Sequence, residues 1–316
     1  MPLRLKDGSV YGSFCCISQS PDRSLTSRDL STLRTFADLA IDQIEHENAG
    51  AREAEETRAR IENLIEGDAL AIHYQPIHAL SDGRPVGVEC LARFPDGEGP
   101  ARCPSDWFAA AAEVGMGVAL ELRAVRQSLL GLAYIPDNLY VAVNVSPETV
   151  LSGELPALLA GAPAGRLVVE VTEHTQIEDY EALNHGLAAL RRHARIAIDD
   201  VGAGYSGLRH LVDLKPDLLK LDMGLTRNID TDQARDALVQ AMVAFAARLG
   251  SRIIAEGVET AAEAQTLRLL GVPFAQGWHF SRAMPAVAAQ QFLIGASEAA
   301  EAPALKPPLP RRAVRR

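Results

Sequence analysis

What most constrains this chain is a rhythm. Eight short apolar, β-rich runs recur along its 316 residues, and nearly every one carries a polar residue inside it or at its end. The runs are LAIHYQPI (70–77), VGVECLARF (86–94), YVAVNVS (140–146), LVVEVTE (167–173), RIAIDD (195–200), LLKLD (218–222), RIIAEGV (252–258) and FAQGWHF (274–280). Runs this short and apolar read as strands covered on both faces. Helical stretches such as DQARDALVQAMVAFAARLG separate the later ones. Eight strands with helical crossovers between residues 61 and 297 predict an α/β fold closed as a (β/α)8 barrel. One connection breaks the rule. Only HALSDGRP (78–85), with its Asp82-Gly83 turn signal, joins the first two strands. Parallel neighbours need a crossover of about a dozen residues or more. The expected fold is therefore a modified, TIM-like barrel whose first strand runs antiparallel to the second.

The polar residues within these strands are Glu89, Asn144, Glu170, Asp199 with Asp200, Lys220, Glu256 and Gln276. Apolar neighbours flank each, so they do not form a solvated face. In a barrel, the carboxyl ends of the strands converge on one mouth, where catalytic residues collect. Carboxylates gathered there repel, at about 4 kcal/mol per pair for a 4 Å separation and an effective dielectric of ~20. Lys220 supplies one offsetting charge, and divalent cations are the natural remainder. An all-oxygen donor set favours magnesium or manganese over zinc, and no His-x-x-x-His or paired-cysteine pattern competes. Consecutive strand residues face opposite sides, yet at a frayed strand end both Asp199 and Asp200 can turn to the mouth. Asp200 can alternatively cap the short helix that follows.

Gly202 to Gly207, GAGYSG, satisfies G-x-G-x-x-G after a strand, with Asp222 further on. Two carboxylates immediately before the loop would repel a pyrophosphate, and LRHLVDLKPD leaves room for a very short helix. A dinucleotide fingerprint is therefore disfavoured.

Taken together, YQPI (74–77), ECLAR (89–93), NVS (144–146), EVTE (170–173), DDVGAGYSGL (199–208), KLD (220–222), AEGVET (255–260) and QGWHFSR (276–282) resemble the EAL-domain cyclic di-GMP phosphodiesterases, in family order. The resemblance implies a barrel with an antiparallel first strand and hydrolysis of cyclic di-GMP to linear pGpG. It implies two Mg2+ or Mn2+ ions per site. Glu89, Asn144, Glu170 and Asp199 would hold one; Asp199, Asp200 and Glu256 would surround the other. Paired ions roughly 3.5–4 Å apart can activate a shared water for in-line attack at phosphorus. Lys220, Glu256 and Glu89 are the catalytic candidates, Lys220 positioning the water or offsetting phosphate charge. Arg93, Gln75 and Gln276 match substrate-binding positions, Glu173 the residue anchoring the loop after the paired aspartates, and Glu259 a supporting residue. The family also implies a homodimer.

The sequence departs from the family pattern in places. Cys90 stands where the family name expects Ala, and Val201, Ala203 and Gly207 stand where Phe, Thr and Ser are usual. No proposed metal ligand is lost. The altered loop leaves open a catalytically silent cyclic di-GMP receptor that signals through a partner. An enolase-type barrel with one magnesium and a lysine base is the other acid-rich alternative.

The rest of the chain reads as accessories. Residues 1–46 predict a hairpin and helix that resemble the end of a GAF domain, too small to bury a core alone. Residues 47–60 predict a charged linker helix, and 298–316 a disordered, basic, proline-rich tail. The barrel domain is expected over 61–297. A net charge of −10 and few aromatics (8 Phe, 6 Tyr, 2 Trp) argue against a nucleic-acid polymer as partner. No run approaches the ~20 apolar residues of a membrane span. Lys6 and Asp7 interrupt any secretory signal, and four unpatterned cysteines suit a reducing compartment. The expected location is the cytoplasm.

Overall fold

The structure is a computed structural model, and it describes residues 1–15, 17, 24, 26–95, 103–163, 165–172, 179–202 and 208–301. The chain forms two compact units, Met1–Asn63 and Leu64–Arg316. In the first, β1 (Pro2–Arg4) pairs antiparallel with β2 (Val10–Ser13). Their turn is held by the Asp7 carboxylate, which accepts from the Ser9 N–H at 2.8 Å, and by Gly8 at φ +86°. A helix follows over Ser27–Glu66. Asp29 accepts from both the N–H and the hydroxyl of Thr26 at 2.7 Å, closing its first turn. The charged stretch 47–60 is not a separate element: one helix of 40 residues runs through it. No proline interrupts it, and the lone Gly50 costs only about 1 kcal/mol against alanine.

The second unit is the barrel. Its strands are β3 (Ala71–Ala79), β4 (Pro85–Arg93), β5 (Tyr140–Val145), β6 (Leu167–Val171), β7 (Arg195–Val201), β8 (Leu218–Leu221), β9 (Arg252–Ala255), β10 (Phe274–Ala275) and β11 (Met284–Pro285). β3 is antiparallel to β4, with Gln75 opposite Glu89, as the short connection requires. From β4 to β10 each neighbour is parallel, and β10 closes the ring antiparallel to β3. β11 adds two residues to the other end of β3. β10 is far shorter than the seven-residue run in the sequence. The chain turns at Gly277, which lies so close to the Val258 backbone that a methyl group there would collide with it.

Period-two alternation sorts the strand residues. Val141, Val143 and Val145, Val169 and Val171, Ile196 and Ile198, and Leu219 and Leu221 belong to the main apolar core. The opposite set stacks inside the barrel in levels. Its middle is apolar, with Ile77, Ala142, Val168, Ala197, Leu218 and Ile254 in one buried cluster. One step toward the carboxyl ends come Asn144, Glu170, Asp199, Lys220 and Glu256; one step the other way come Tyr140, Arg195 and Arg252. Among the described residues no helix is long and apolar enough to cross a membrane.

Candidate active site

Both members of the Asp199-Asp200 pair line one cavity at the carboxyl ends of the strands. A frayed end is not the device that turns them. β7 and β8 pair Ile198 with Leu219 and then Val201 with Leu221, so β7 carries one extra residue. Such a bulge re-aims side chains that regular alternation would send to opposite faces. Asp200 takes up the extra residue in the left-handed region at φ +54°, and its N–H donates to Asp199 Oδ1 at 2.9 Å.

Around this bulge stand two groups of acids. Oxygens of Glu89, Glu170 and Asp199 lie within 4.8 Å of one another, as do those of Asp199, Asp200 and Glu256. Asp199 belongs to both. Lys220, only 1% exposed, runs up among them. Its Nζ donates to Glu170 at 2.7 Å and lies 2.8 Å from Glu256, 3.2 Å from Asp199 and 3.4 Å from Glu89. Burial alone would strip a lysine of its proton, but these four carboxylates outweigh that and hold the ammonium well above the ordinary lysine range. The acids divide. Burial pushes Glu256 up to about 8, Lys220 opposing and Asp199 and Glu89 adding to the rise. Glu170, wholly buried, is raised for the same reasons. Glu89 is also buried, yet Lys220 and hydrogen bonds from Asn144 (2.8 Å) and Gln276 (2.6 Å) keep it below the usual range.

Raised carboxyls beside a charged lysine mark a site with more acid than its own cation can balance. Glu170 Oε1 is buried with no hydrogen-bond partner. Asn144 spends its Nδ2 on Glu89, which leaves its amide oxygen as an acceptor. Carboxylate and amide oxygens around an orphaned buried oxygen are the donor set of a hard divalent cation. The residues present therefore fit a metal.

The cavity holds about 380 Å³. Gln75 and Gln276 line it beside Glu89, linked by Gln276 Nε2 to Gln75 Oε1 at 3.1 Å, while Gln75 donates to the Ser281 carbonyl. Glu259 also lines it and is paired with Arg227. That loop is pinned by a capping box in which Thr260 and Glu263 exchange hydrogen bonds, while Glu263 also accepts from the Asn228 N–H at 2.8 Å. Arg93 is not among the acids. It lines an adjoining cavity of about 210 Å³ that shares Leu91 with the first and is also lined by Asn144, the donor to Glu89, and its guanidinium donates to the Ala92 carbonyl. Glu173, Ala203 and Gly207 lie outside the described residues. Cys90 points into the outer core, where burial pushes its thiol up and leaves it unreactive. Sequence reasoning missed Arg227, Met223 and Trp278 on the cavity wall. Trp278 sits inside the QGWHFSR motif and could have been taken from it; Arg227 is signalled only by Glu259 needing a counter-charge.

Residues 58–283 match the family model described as EAL domain. The chain belongs to the EAL family. The EAL chain is 29% identical over 237 residues to the Escherichia coli (strain K12) protein named "Probable cyclic di-GMP phosphodiesterase PdeB", covering 72% of this chain and 45% of that one. Among solved structures, the PaMucR phosphodiesterase in complex with c-di-GMP is 31% identical with a TM-score of 0.64, covering 75% of this chain and all of that one. The manganese and cy-diGMP complex of Klebsiella pneumoniae BlrP1 is also 31% identical, with a TM-score of 0.62, covering 70% of this chain and 57% of that one. The chain spans less than half the length of the curated relatives it matches, 45% of PdeB and 30% of the Bacillus subtilis signaling protein YkoW.

Proposed function

We propose that this EAL protein is a metal-dependent phosphodiesterase that hydrolyses cyclic di-GMP to linear pGpG. The observation that carries the reading is the pair of acid groups sharing Asp199 around a buried Lys220. Five carboxylates against one ammonium leave a charge of −4 when all are ionised, which two divalent cations would cancel. Glu89, Asn144, Glu170 and Asp199 would hold one ion and Asp199, Asp200 and Glu256 the other. Bound there, Mg2+ or Mn2+ would supply Lewis acidity to the attacking water and to the phosphate oxygens.

The chain's own residues do the rest. Lys220 orients four carboxylates at once and keeps a positive charge where negative charge grows at phosphorus. The chain of hydrogen bonds from Ser281 through Gln75 and Gln276 fixes the Glu89 carboxylate. Arg93 and Arg227 flank the mouth and offer guanidinium forks to a phosphate or a guanine edge. A cytoplasmic homodimer, with residues 1–46 as a docking appendage joined through 47–60 to the barrel, goes with this reading.

The test is direct. The purified chain is incubated with cyclic di-GMP and magnesium, manganese or EDTA, and the nucleotides are resolved by chromatography. Linear pGpG is expected with either metal and not with EDTA. Intact substrate in every arm, with binding still measurable, would overturn hydrolysis in favour of a silent receptor.

A further inference from the structure

The opposite pole of the barrel carries its own charge pattern. Arg195, Arg252 and Tyr140 occupy the inward positions four residues before Asp199, Glu256 and Asn144 on the same strands, about 13 Å away at strand rise. They line a cavity of about 440 Å³ at the amino ends of the strands, together with Arg166, Phe274 and Asp137. Arg166 is fully committed. It donates to the carbonyls of Leu139, Ile135 and Pro136 and to Asp137 Oδ1, so it builds the wall rather than offering donors.

Arg195 and Arg252 differ. Each guanidinium lies over an aromatic ring, Arg195 4.8 Å from the centroid of Tyr140 and Arg252 5.1 Å from that of Phe274. Stacking occupies the face of a guanidinium and leaves its N–H edge for a planar acceptor. Among the described residues no carboxylate pairs with either. Hydrogen-bonding demand is unmet here as well: Arg195 Nε and the Tyr140 hydroxyl are buried without partners, in a tyrosine that is 7% exposed. Two uncompensated cations fixed by rings, beside orphaned buried donors, are the converse of the acidic mouth. They call for an anion carrying two negative charges. The cavity is larger than such a group needs, and Val86 and Phe274 give its remainder an apolar wall.

We propose that this pole is a second binding site, for a phosphate monoester. The phosphate dianion meets the N–H edges of Arg195 and Arg252, and the organic part lies against Phe274. The site is independent of the acids at the mouth and does not rest on their proposed activity.

The test uses the full chain, stripped of metal with EDTA, titrated calorimetrically with inorganic phosphate and with glycerol 3-phosphate at constant ionic strength. Saturable binding of both is expected. Arg195→Gln and Arg252→Gln should each weaken it about tenfold or more, since each removes charge-assisted hydrogen bonds. Arg252 is exposed, so Arg252→Gln keeps the test valid if Arg195→Gln misfolds. Arg248→Gln, which removes an exposed arginine outside both cavities, should bind phosphate like the wild type. Absence of binding by the wild type, or binding by both arginine variants as tight as that of the wild type, overturns the site.

Discussion

The two ends of this barrel are made from the same strands and solve opposite problems. At the mouth, acids from β4, β6, β7 and β9 converge on Lys220, and every charge touches another. At the opposite pole, Arg195 and Arg252 touch rings instead of acids. A cross-linked cluster of charges is strongly coupled, so removing one member strands the rest. Cations stacked on aromatic rings at a wetter edge are nearly independent, and each is worth little to the fold. The contrast shows how alternation lets one barrel carry opposite charge patterns at its two ends, with the Ala142, Val168, Ala197 and Ile254 level between them.

The largest effect that would break this contrast is at its centre. Lys220→Met should cost about 3–5 kcal/mol in metal-free urea unfolding, because it leaves buried carboxylates without their cation. Added Mn2+ should recover more stability in this variant than in the wild type. Next, Glu89→Ala should lower the proposed phosphodiesterase rate by about 100-fold or more while circular dichroism stays unchanged, the loss being that of an oxygen proposed to hold a metal. A wild-type rate in that variant would mean that the mouth is not the reacting centre.

At the other pole, Arg195→Gln with Arg252→Gln in one chain should shift unfolding by no more than about 1–2 kcal/mol, the worth of two cation–π contacts. A loss as large as that of Lys220→Met would show that the pole is coupled in the same way as the mouth. The smallest effect sharpens the comparison with a residue at neither site. His78 is buried, stacked on Phe280 with centroids 4.9 Å apart, and burial lowers its pKa, with its hydrogen bond to the Gly83 carbonyl opposing and His279 adding to the fall. The unfolded chain therefore takes up the proton first, near pH 6.5, and this contribution to stability is lost as pH falls through and below that value. Urea midpoints at pH 7.5 and 5.5 should differ less in His78→Phe than in the wild type by that contribution, the remaining titrations being common to both.

The barrel was legible because its signals are local. Apolar runs mark β3 to β9, and the short connection between β3 and β4 dictates their antiparallel pairing. The charged cluster was legible for the same reason: Glu89, Glu170 and Lys220 interrupt apolar runs where a charge has no local justification. What was not legible depends on register. The bulge at Asp199-Asp200 exists only relative to β8, so the sequence allows two acids at the mouth without revealing what turns them there. Arg195 and Arg252 begin their strands and look like ordinary solvated ends until closure of the ring carries them inside. Arg93 sits one cavity away from the acids because its strand continues past the mouth. The linker helix expected over 47–60 is continuous with the helix before it, and nothing in its charged composition marks a boundary between them.

The single surplus residue in β7 has a consequence for how such a chain can change over generations. Substituting Asp200 removes one carboxylate and keeps the kink, whereas deleting that one codon would restore regular pairing of β7 with β8 through Val201. The barrel would survive that deletion, and so would the Glu89, Glu170 and Asp199 group, which lies upstream of the change. Only the acid group that depends on the kink would disperse. On the proposed reading, the step from a two-cation site to a one-cation site is thus a single in-frame event, small for the fold and decisive for the chemistry.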